Sequence, residues 1–391
     1  MFKIQVLNAI SPVGLSQFSA EHFEVAPTML QPAGILVRSQ DMHAMTLPES
    51  VKVVGRAGAG VNNIPVAALT KRGILVLNTP GANANAVREL VIAGMLLCSR
   101  HICQAWQYVK NLSETDDAAM SAVIELHKKQ FAGYELMGKT LGVVGLGSVG
   151  VKVANAAMHL GMRVIGYDPA ISVNRAWELS SAVEQAHQLE GLLAKADFVS
   201  LHVPLVADTE HMMNHLRLQS MKKGAVLLNF SRDGIVDNQA LLIALNEGKV
   251  YAYVSDFPCA LLKNHPRVIC LPHLGASTRE AEENCAVMIV KQVCDYLQRG
   301  AISHSVNFPN VDVPQNDGVA RVAIVNENVP NMVAQMSHVL GQAGRNIVSL
   351  VNKSRGDIAY TLIDLDAAID ERGLKQLTAI QGVLQARQWL K

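Results

Sequence analysis

Residues 141–150 read LGVVGLGSVG, an apolar, β-branched run that ends in Gly145, Gly147 and Gly150 at GxGxxG spacing. The next residues, VKVANAAMHLGM, carry a helical pattern, and a second apolar run at 162–167 ends at Asp168. Strand, glycine turn, helix, strand and acid, in that order, are what a dinucleotide site requires. Gly145 permits the tight turn. Gly147 lets the backbone approach a pyrophosphate whose charge sits on the helix N-terminus, and Gly150 lets helix and strand pack closely. Asp168 suits the hydroxyls of an adenosine ribose and repels a 2′-phosphate, so the pattern favours NAD over NADP.

Composition narrows the class further. At 391 residues the chain exceeds one ordinary core, so two or three domains are expected, and half of the residues are apolar. The formal net charge of +1, with no long basic run, implies neither nucleic acid nor an anionic membrane surface as partner. The apolar stretch 90–98 is far too short for a bilayer span. The opening MFKIQVLNAI reads as a first strand rather than a signal core, which makes a cytoplasmic enzyme the default. Cys98, Cys103, Cys259, Cys270, Cys285 and Cys294 are scattered without a CxxC pair and read as reduced thiols. His211 and His215 have zinc-like spacing, but no third ligand stands out and no metal is expected.

Three blocks emerge along the chain. The first, to about residue 94, has strand candidates at 4–7, 34–37, 51–54 and 74–77, alternating with polar or helical segments as in a parallel sheet. The second is centred on the glycine motif and continues with strands at 198–202, 225–229 and 250–255. Residues 303–318, SHSVNFPNVDVPQNDG, are rich in Pro, Asn and Asp and read as an extended linker. Beyond it the pattern runs strand (RVAIVNE), helix, strand (NIVSLVNKS), turn, strand (IAYTLIDLD), helix (ERGLKQLTAI) and strand (VLQARQWLK). That βαββαβ order is the ferredoxin-like split unit.

In open α/β sheets, ligands bind beyond the carboxyl ends of the strands. Arg232 lies there, after the strand at 225–229; its guanidinium suits a substrate carboxylate and an adjacent carbonyl, or is an ordinary surface charge in a turn. His273 follows the short apolar run 268–271. Imidazole suits moving the proton of an alcohol as a hydride leaves, although a lone histidine is more often structural. Arg38 and Arg56 close neighbouring strand candidates, and Arg56 opens RAGAG, a turn whose amides suit an anion. Together they suggest an anionic substrate.

The segments VRSQ, VGRAGAGVNNI, NTPGANANAVREL, GLGSVG with YDP, SLHVPLVADTEHMMN, NFSRDGIVD and PHLGAST occur in one order over nearly the whole chain. They resemble the D-isomer-specific 2-hydroxyacid dehydrogenases that carry a C-terminal ACT domain. The resemblance implies an α/β fold of two Rossmann-like, doubly wound parallel-sheet domains with the active site in their cleft, plus a ferredoxin-like ACT domain. The implied divisions are a substrate domain at 1–94 returning at 275–303, an NAD domain at 95–274, a linker at 304–318 and the ACT domain at 319–391. It implies Arg232 as the carboxylate and carbonyl ligand and His273 as the acid/base. Gly145, Gly147, Ser148, Val149, Gly150, Asp168, Pro204, Phe230, Ser231 and Asp256 would line the cofactor. Gly58, Ala59, Gly60, Val61 and Asn85 would meet the substrate, with Arg38 and Arg56 at its phosphate.

The implied reaction is NAD-linked oxidation of 3-phospho-D-glycerate to 3-phosphooxypyruvate, the first step of L-serine synthesis. A glyoxylate, hydroxypyruvate or 2-oxoglutarate reductase is the alternative on the same scaffold. One departure supports a further alternative, an NAD- and amino-acid-sensing protein with impaired catalysis. The family places a glutamate shortly before the histidine, where it hydrogen-bonds the imidazole and raises its pKa. Ala260 stands at that position, and no Glu lies from Asp256 to His273. In the ACT block, Asn326, Asn328 and Asn346 match positions that hold an amino-acid effector, L-serine being the expected one. The resemblance implies dimerisation through the coenzyme domain, and ACT domains, which bind amino acids at paired interfaces, commonly pair again, so a homodimer or homotetramer is implied.

Overall fold

The computed structural model describes residues 1–314 and 319–390. The end of the expected linker (315–318) and Lys391, which closes the last expected strand, lie outside the described residues. The chain divides into two compact units, Met1–Asn83 with Arg279–Lys391, and Ala84–Thr278.

The first unit begins with a five-stranded parallel sheet in the order Phe23–Ala26, Phe2–Val6, Gly34–Val37, Val53–Arg56 and Leu75–Leu77. Period-two alternation sorts its side chains. Ile35, Val37, Val54 and Val76 fill one face, while Ile4, Leu36, Val53 and Leu75 fill the other. The 21-residue helix Arg279–Arg299 covers that second face through Ile289, Val290, Val293, Tyr296 and Leu297. The strand Phe23–Ala26 is absent from the sequence expectation. It is only four residues long and edges the sheet, so its apolar signal is weak.

The same unit holds a four-stranded antiparallel sheet in the order Ile347–Arg355, Ile358–Leu365, Ala320–Glu327 and Val383–Leu390. Helices Met332–Gln342 and Glu371–Ala379 cover one face over Val322, Ile324, Ile363 and Leu365. This is the βαββαβ arrangement expected from the pattern. Its other face, with Ala323, Val325, Tyr360 and Leu362, shares a core with Tyr296, Leu297, Phe308 and Val311. The sheet is therefore fused to the first rather than hung on a free linker.

Residues 303–311 show why. The Asn307 carboxamide accepts the Val76 N–H at 2.8 Å and donates to the Ile74 carbonyl at 2.9 Å, while Phe308 and Val311 are fully buried. The Asn side chain thus stands in for a strand backbone, so a segment whose composition reads as linker is built into the sheet edge.

The second unit is a seven-stranded parallel sheet in the order Val268–Cys270, Val250–Ser255, Ala225–Asn229, Phe198–Leu201, Thr140–Val144, Arg163–Tyr167 and Glu184–Gln185. The strand order reverses between Thr140–Val144 and Phe198–Leu201, which makes the carboxyl end of that pair the expected ligand crevice. The unit spans 84–278; helix Ala84–Ser99 runs through residue 94 without a break and buries Val87, Val91 and Met95 in this core. Among the described residues no helix is long and apolar enough to cross a membrane.

Candidate active site

The glycine turn lies at the switch point. Gly145 has φ +91, and its N–H donates to the Tyr167 carbonyl at 2.8 Å. A Cβ there would stand 2.6 Å from the His202 carbonyl oxygen. A Cβ on Gly150 would stand 1.9 Å from the Gly145 carbonyl oxygen, so helix Ser148–His159 closes on the turn only with glycine at that place. Nothing lies within 4 Å of a Cβ on Gly147, and this N-cap residue brings no side-chain acceptor to the helix. The first-turn amides, with half-buried Ser148 and Val149, are therefore left to an outside anion. Asp168 accepts the Leu146 N–H at 2.8 Å through Oδ2 and the Ala170 N–H at 2.9 Å through Oδ1. A carboxylate has about four acceptor positions, so capacity remains for ribose hydroxyls. Open space at Gly147, unused amides and a fixed acid on the next strand fit a dinucleotide.

Arg232 is placed by Asn229, the last residue of strand Ala225–Asn229. Buried Asn229 donates to the Arg232 carbonyl at 2.8 Å and accepts the Ser231 N–H at 3.2 Å. Ser231 donates to the Val203 carbonyl at 2.8 Å, which ties this loop to the one holding Pro204. Buried Phe230 packs against Gly94, while the Arg232 residue itself is exposed. Sequence reading does not single out Asn229, although an Asn at a strand-to-turn junction is the available signal. His202 follows strand Phe198–Leu201, with Nε2 2.9 Å from the Ser200 hydroxyl. Burial pushes its pKa down to about 3, so it is neutral near pH 7 and is no competing acid.

His273 is exposed on a backbone with φ +58, a left-handed conformation that strains a non-glycine residue by about 1–2 kcal/mol. Asp256 holds it there. This buried residue accepts the Leu274 N–H at 2.6 Å and the Gly275 N–H at 2.7 Å through its two carboxylate oxygens, while its carbonyl accepts the His273 N–H at 3.1 Å. The structure thus gives Asp256 a clear local task, fixing the histidine loop. Among the described residues no carboxylate hydrogen-bonds the His273 ring. Its ring neighbour is Phe257, edge-on with centroids 5.1 Å apart. Ala260 lies exposed in the preceding turn.

The first unit brings Arg38 and Arg56 together. Their strands are parallel neighbours, and Arg56 Nε donates to the Arg38 carbonyl at 3.0 Å. Gly58 lies directly against the Arg56 guanidinium, where a Cβ would stand 2.6 Å from Nη1, and the partly exposed turn continues through Ala59, Gly60 and Val61. Arg38 Nη2 is 2.8 Å from Glu282 Oε1 on helix Arg279–Arg299, a pairing that sequence reading misses because the partners are remote in the chain. Asn85 belongs to the second unit and donates to Glu89 at 2.9 Å.

In the antiparallel sheet, Asn326 is buried with its Oδ1 unpartnered, and Asn328 donates to the Gly356 carbonyl at 3.1 Å. Asn346 is exposed at the opposite end. Glu327 pairs with Ile358 but Ile347 with Leu365, seven residues on, roughly 24 Å along the shared strand. One chain does not bring these asparagines together. Among the described residues no three His, Cys, Asp or Glu side chains gather to hold a metal ion.

Residues 92–275 match the family described as D-isomer specific 2-hydroxyacid dehydrogenase, NAD binding domain. The chain is similar to the D-3-phosphoglycerate dehydrogenase of Methanocaldococcus jannaschii, with 38% identity over 341 residues that cover 86% of this chain. It spans only 61% of that relative's length. It is 32% identical over 345 residues to the D-3-phosphoglycerate dehydrogenase of Haemophilus influenzae, covering 85% of this chain and 80% of that one. The solved structure of NAD+-bound 3-phosphoglycerate dehydrogenase from Entamoeba histolytica resembles it with TM-score 0.60 at 26% identity, over 78% of this chain and 98% of that one.

Proposed function

The chain belongs to the D-isomer specific 2-hydroxyacid dehydrogenase family, and from that premise we propose that it oxidises 3-phospho-D-glycerate to 3-phosphooxypyruvate with NAD. The observation that carries the substrate reading is the joined pair Arg38 and Arg56, two guanidinium groups at adjacent strand ends beside a partly exposed glycine turn. Guanidinium forks match phosphate oxygens in geometry and charge. Arg232 holds the carboxylate and polarises the C2 oxygen, and the Asn229 contacts keep its loop in place. The His273 ring takes the C2 hydroxyl proton, which it can do only when neutral. Bound at the glycine turn, NAD supplies the acceptor for the C2 hydride.

The test of the substrate is Arg38→Ala. It lowers kcat/KM for 3-phosphoglycerate by about 10- to 100-fold, as for a lost charge-assisted contact, and lowers that for hydroxypyruvate or glyoxylate reduction far less. Equal losses on both would favour the reductase reading.

Ala260→Glu tests the altered histidine environment. A carboxylate beside the ring stabilises its protonated form, so the base is lost at higher pH. The acid limb of the pH–rate profile for oxidation then moves to higher pH. An unmoved profile would mean that residue 260 does not face His273.

We read the βαββαβ block as an amino-acid-binding ACT domain. Support comes from its topology and from Asn326, whose buried Oδ1 lacks a partner. Because Asn326 and Asn328 lie at one end of the sheet and Asn346 at the other, a single effector reaches all three only if a second copy pairs its sheet in the opposite sense. This accords with a homodimer or homotetramer.

A further inference from the structure

We propose that Glu282 sets how strongly this chain holds a phosphorylated substrate, by competing for the guanidinium that the phosphate needs. The inference rests on the reading of Arg38 as a phosphate ligand and deepens it.

The Arg38 backbone is fixed. Its N–H donates to Asn8 Oδ1 at 2.9 Å, and its carbonyl accepts Arg56 Nε at 3.0 Å and Asn63 Nδ2 at 3.4 Å. Its guanidinium meets Glu282 Oε1 at 2.8 Å. Glu282 sits in the first turn of helix Arg279–Arg299, where the helix dipole favours a negative charge. One turn on lies the buried Cys285 thiol, whose pKa burial pushes up; Thr79, Arg38 and Arg56 oppose that shift and Glu282 adds to it.

The Arg38 side chain is 30% exposed and that of Glu282 44%, so the pair lies within reach of solvent and an incoming anion. Such pairs are individually weak, about 0–1 kcal/mol. An incoming phosphate can therefore displace the carboxylate, but it must share the guanidinium with, or stand beside, another negative charge. An unphosphorylated 2-oxo acid meets no such conflict. Glu282 thereby weakens phosphate binding while keeping Arg38 neutralised when no phosphate is present.

Glu282→Gln retains the shape and the acceptor oxygen but removes the charge. The ratio of kcat/KM for 3-phosphoglycerate to that for hydroxypyruvate is expected to rise about three- to fivefold, through a lower KM for the phosphorylated substrate. The gain shrinks as ionic strength rises, and it vanishes in the Arg38→Ala background. An unchanged ratio, or a higher KM for 3-phosphoglycerate, would overturn the proposal, because the acid would then orient Arg38 rather than compete for it. Thermal shift with inorganic phosphate on the same proteins separates this from the substrate assignment. If wild type fails to oxidise 3-phosphoglycerate, the function reading falls, while tighter phosphate binding by Glu282→Gln still upholds the competition and equal binding still removes it.

Discussion

His273→Asn lowers kcat for oxidation by about 10²–10⁴, the range for loss of a positioned general base. Asparagine is the informative replacement because it tolerates the left-handed backbone that the loop imposes at φ +58, so the loop need not move. The side chain is exposed, and the contacts that hold the loop run from Asp256 to backbone N–H groups, all of which the variant keeps. NAD affinity, read by quenching of intrinsic fluorescence, is expected to stay close to wild type. Among the described residues no carboxylate hydrogen-bonds the His273 ring. His202 is half-buried and neutral, the Asp256 oxygens are engaged by Leu274 and Gly275, and residue 260 is alanine. A kcat within tenfold of wild type would show that the proton leaves by another route.

Arg321→Leu destabilises the first unit by about 3–5 kcal/mol, the usual cost of breaking a buried ion pair by removing one partner. Arg321 is fully buried and bridges elements that are remote in sequence. It donates to Asp364 at 2.6 and 2.9 Å, to the Val313 carbonyl at 3.2 Å and to the Pro314 carbonyl at 2.9 Å. Its loss leaves the Asp364 carboxylate unpaired in the core and removes the donor to the Val313 and Pro314 carbonyls. The double change Arg321→Leu with Asp364→Leu is expected to recover a large part of the loss, since two apolar groups need no partner. Denaturant unfolding of the single and double variants measures both. A single-variant loss below about 1 kcal/mol would mean that water reaches the acid.

What the sequence reveals follows from how local the physical demand is. Gly145, Gly147 and Gly150 are legible because each answers a constraint within a few residues: a positive φ, open space for a ligand, and a 1.9 Å clash that only glycine avoids. The βαββαβ order is legible for the same reason, since turn residues and periodicity mark each element. Long-range partners are not. Asn307 reads as linker because the strand it completes lies more than two hundred residues earlier. Glu282 reads as one acid in a polar helix start until the fold places it on Arg38. Strand Ile358–Leu365 is buried at every position, and its nearly unbroken apolarity signals two covered faces without naming the second cover. That cover is helix Arg279–Arg299 and the residues after it, which also carry Glu282 and Cys285 near the arginines. Arg321, set among the apolar residues that open strand Ala320–Glu327, is the clearest case of a side chain whose role depends on a partner the local sequence cannot specify.

NADH formation from NAD and 3-phospho-D-glycerate, followed at alkaline pH with a trap for 3-phosphooxypyruvate, with and without L-serine, decides the substrate assignment. Saturable turnover is expected, largely lost in Arg38→Ala and suppressed by L-serine through the C-terminal sheet. Absence of turnover in protein that binds NAD, together with brisk reduction of glyoxylate or hydroxypyruvate by NADH, would contradict that assignment.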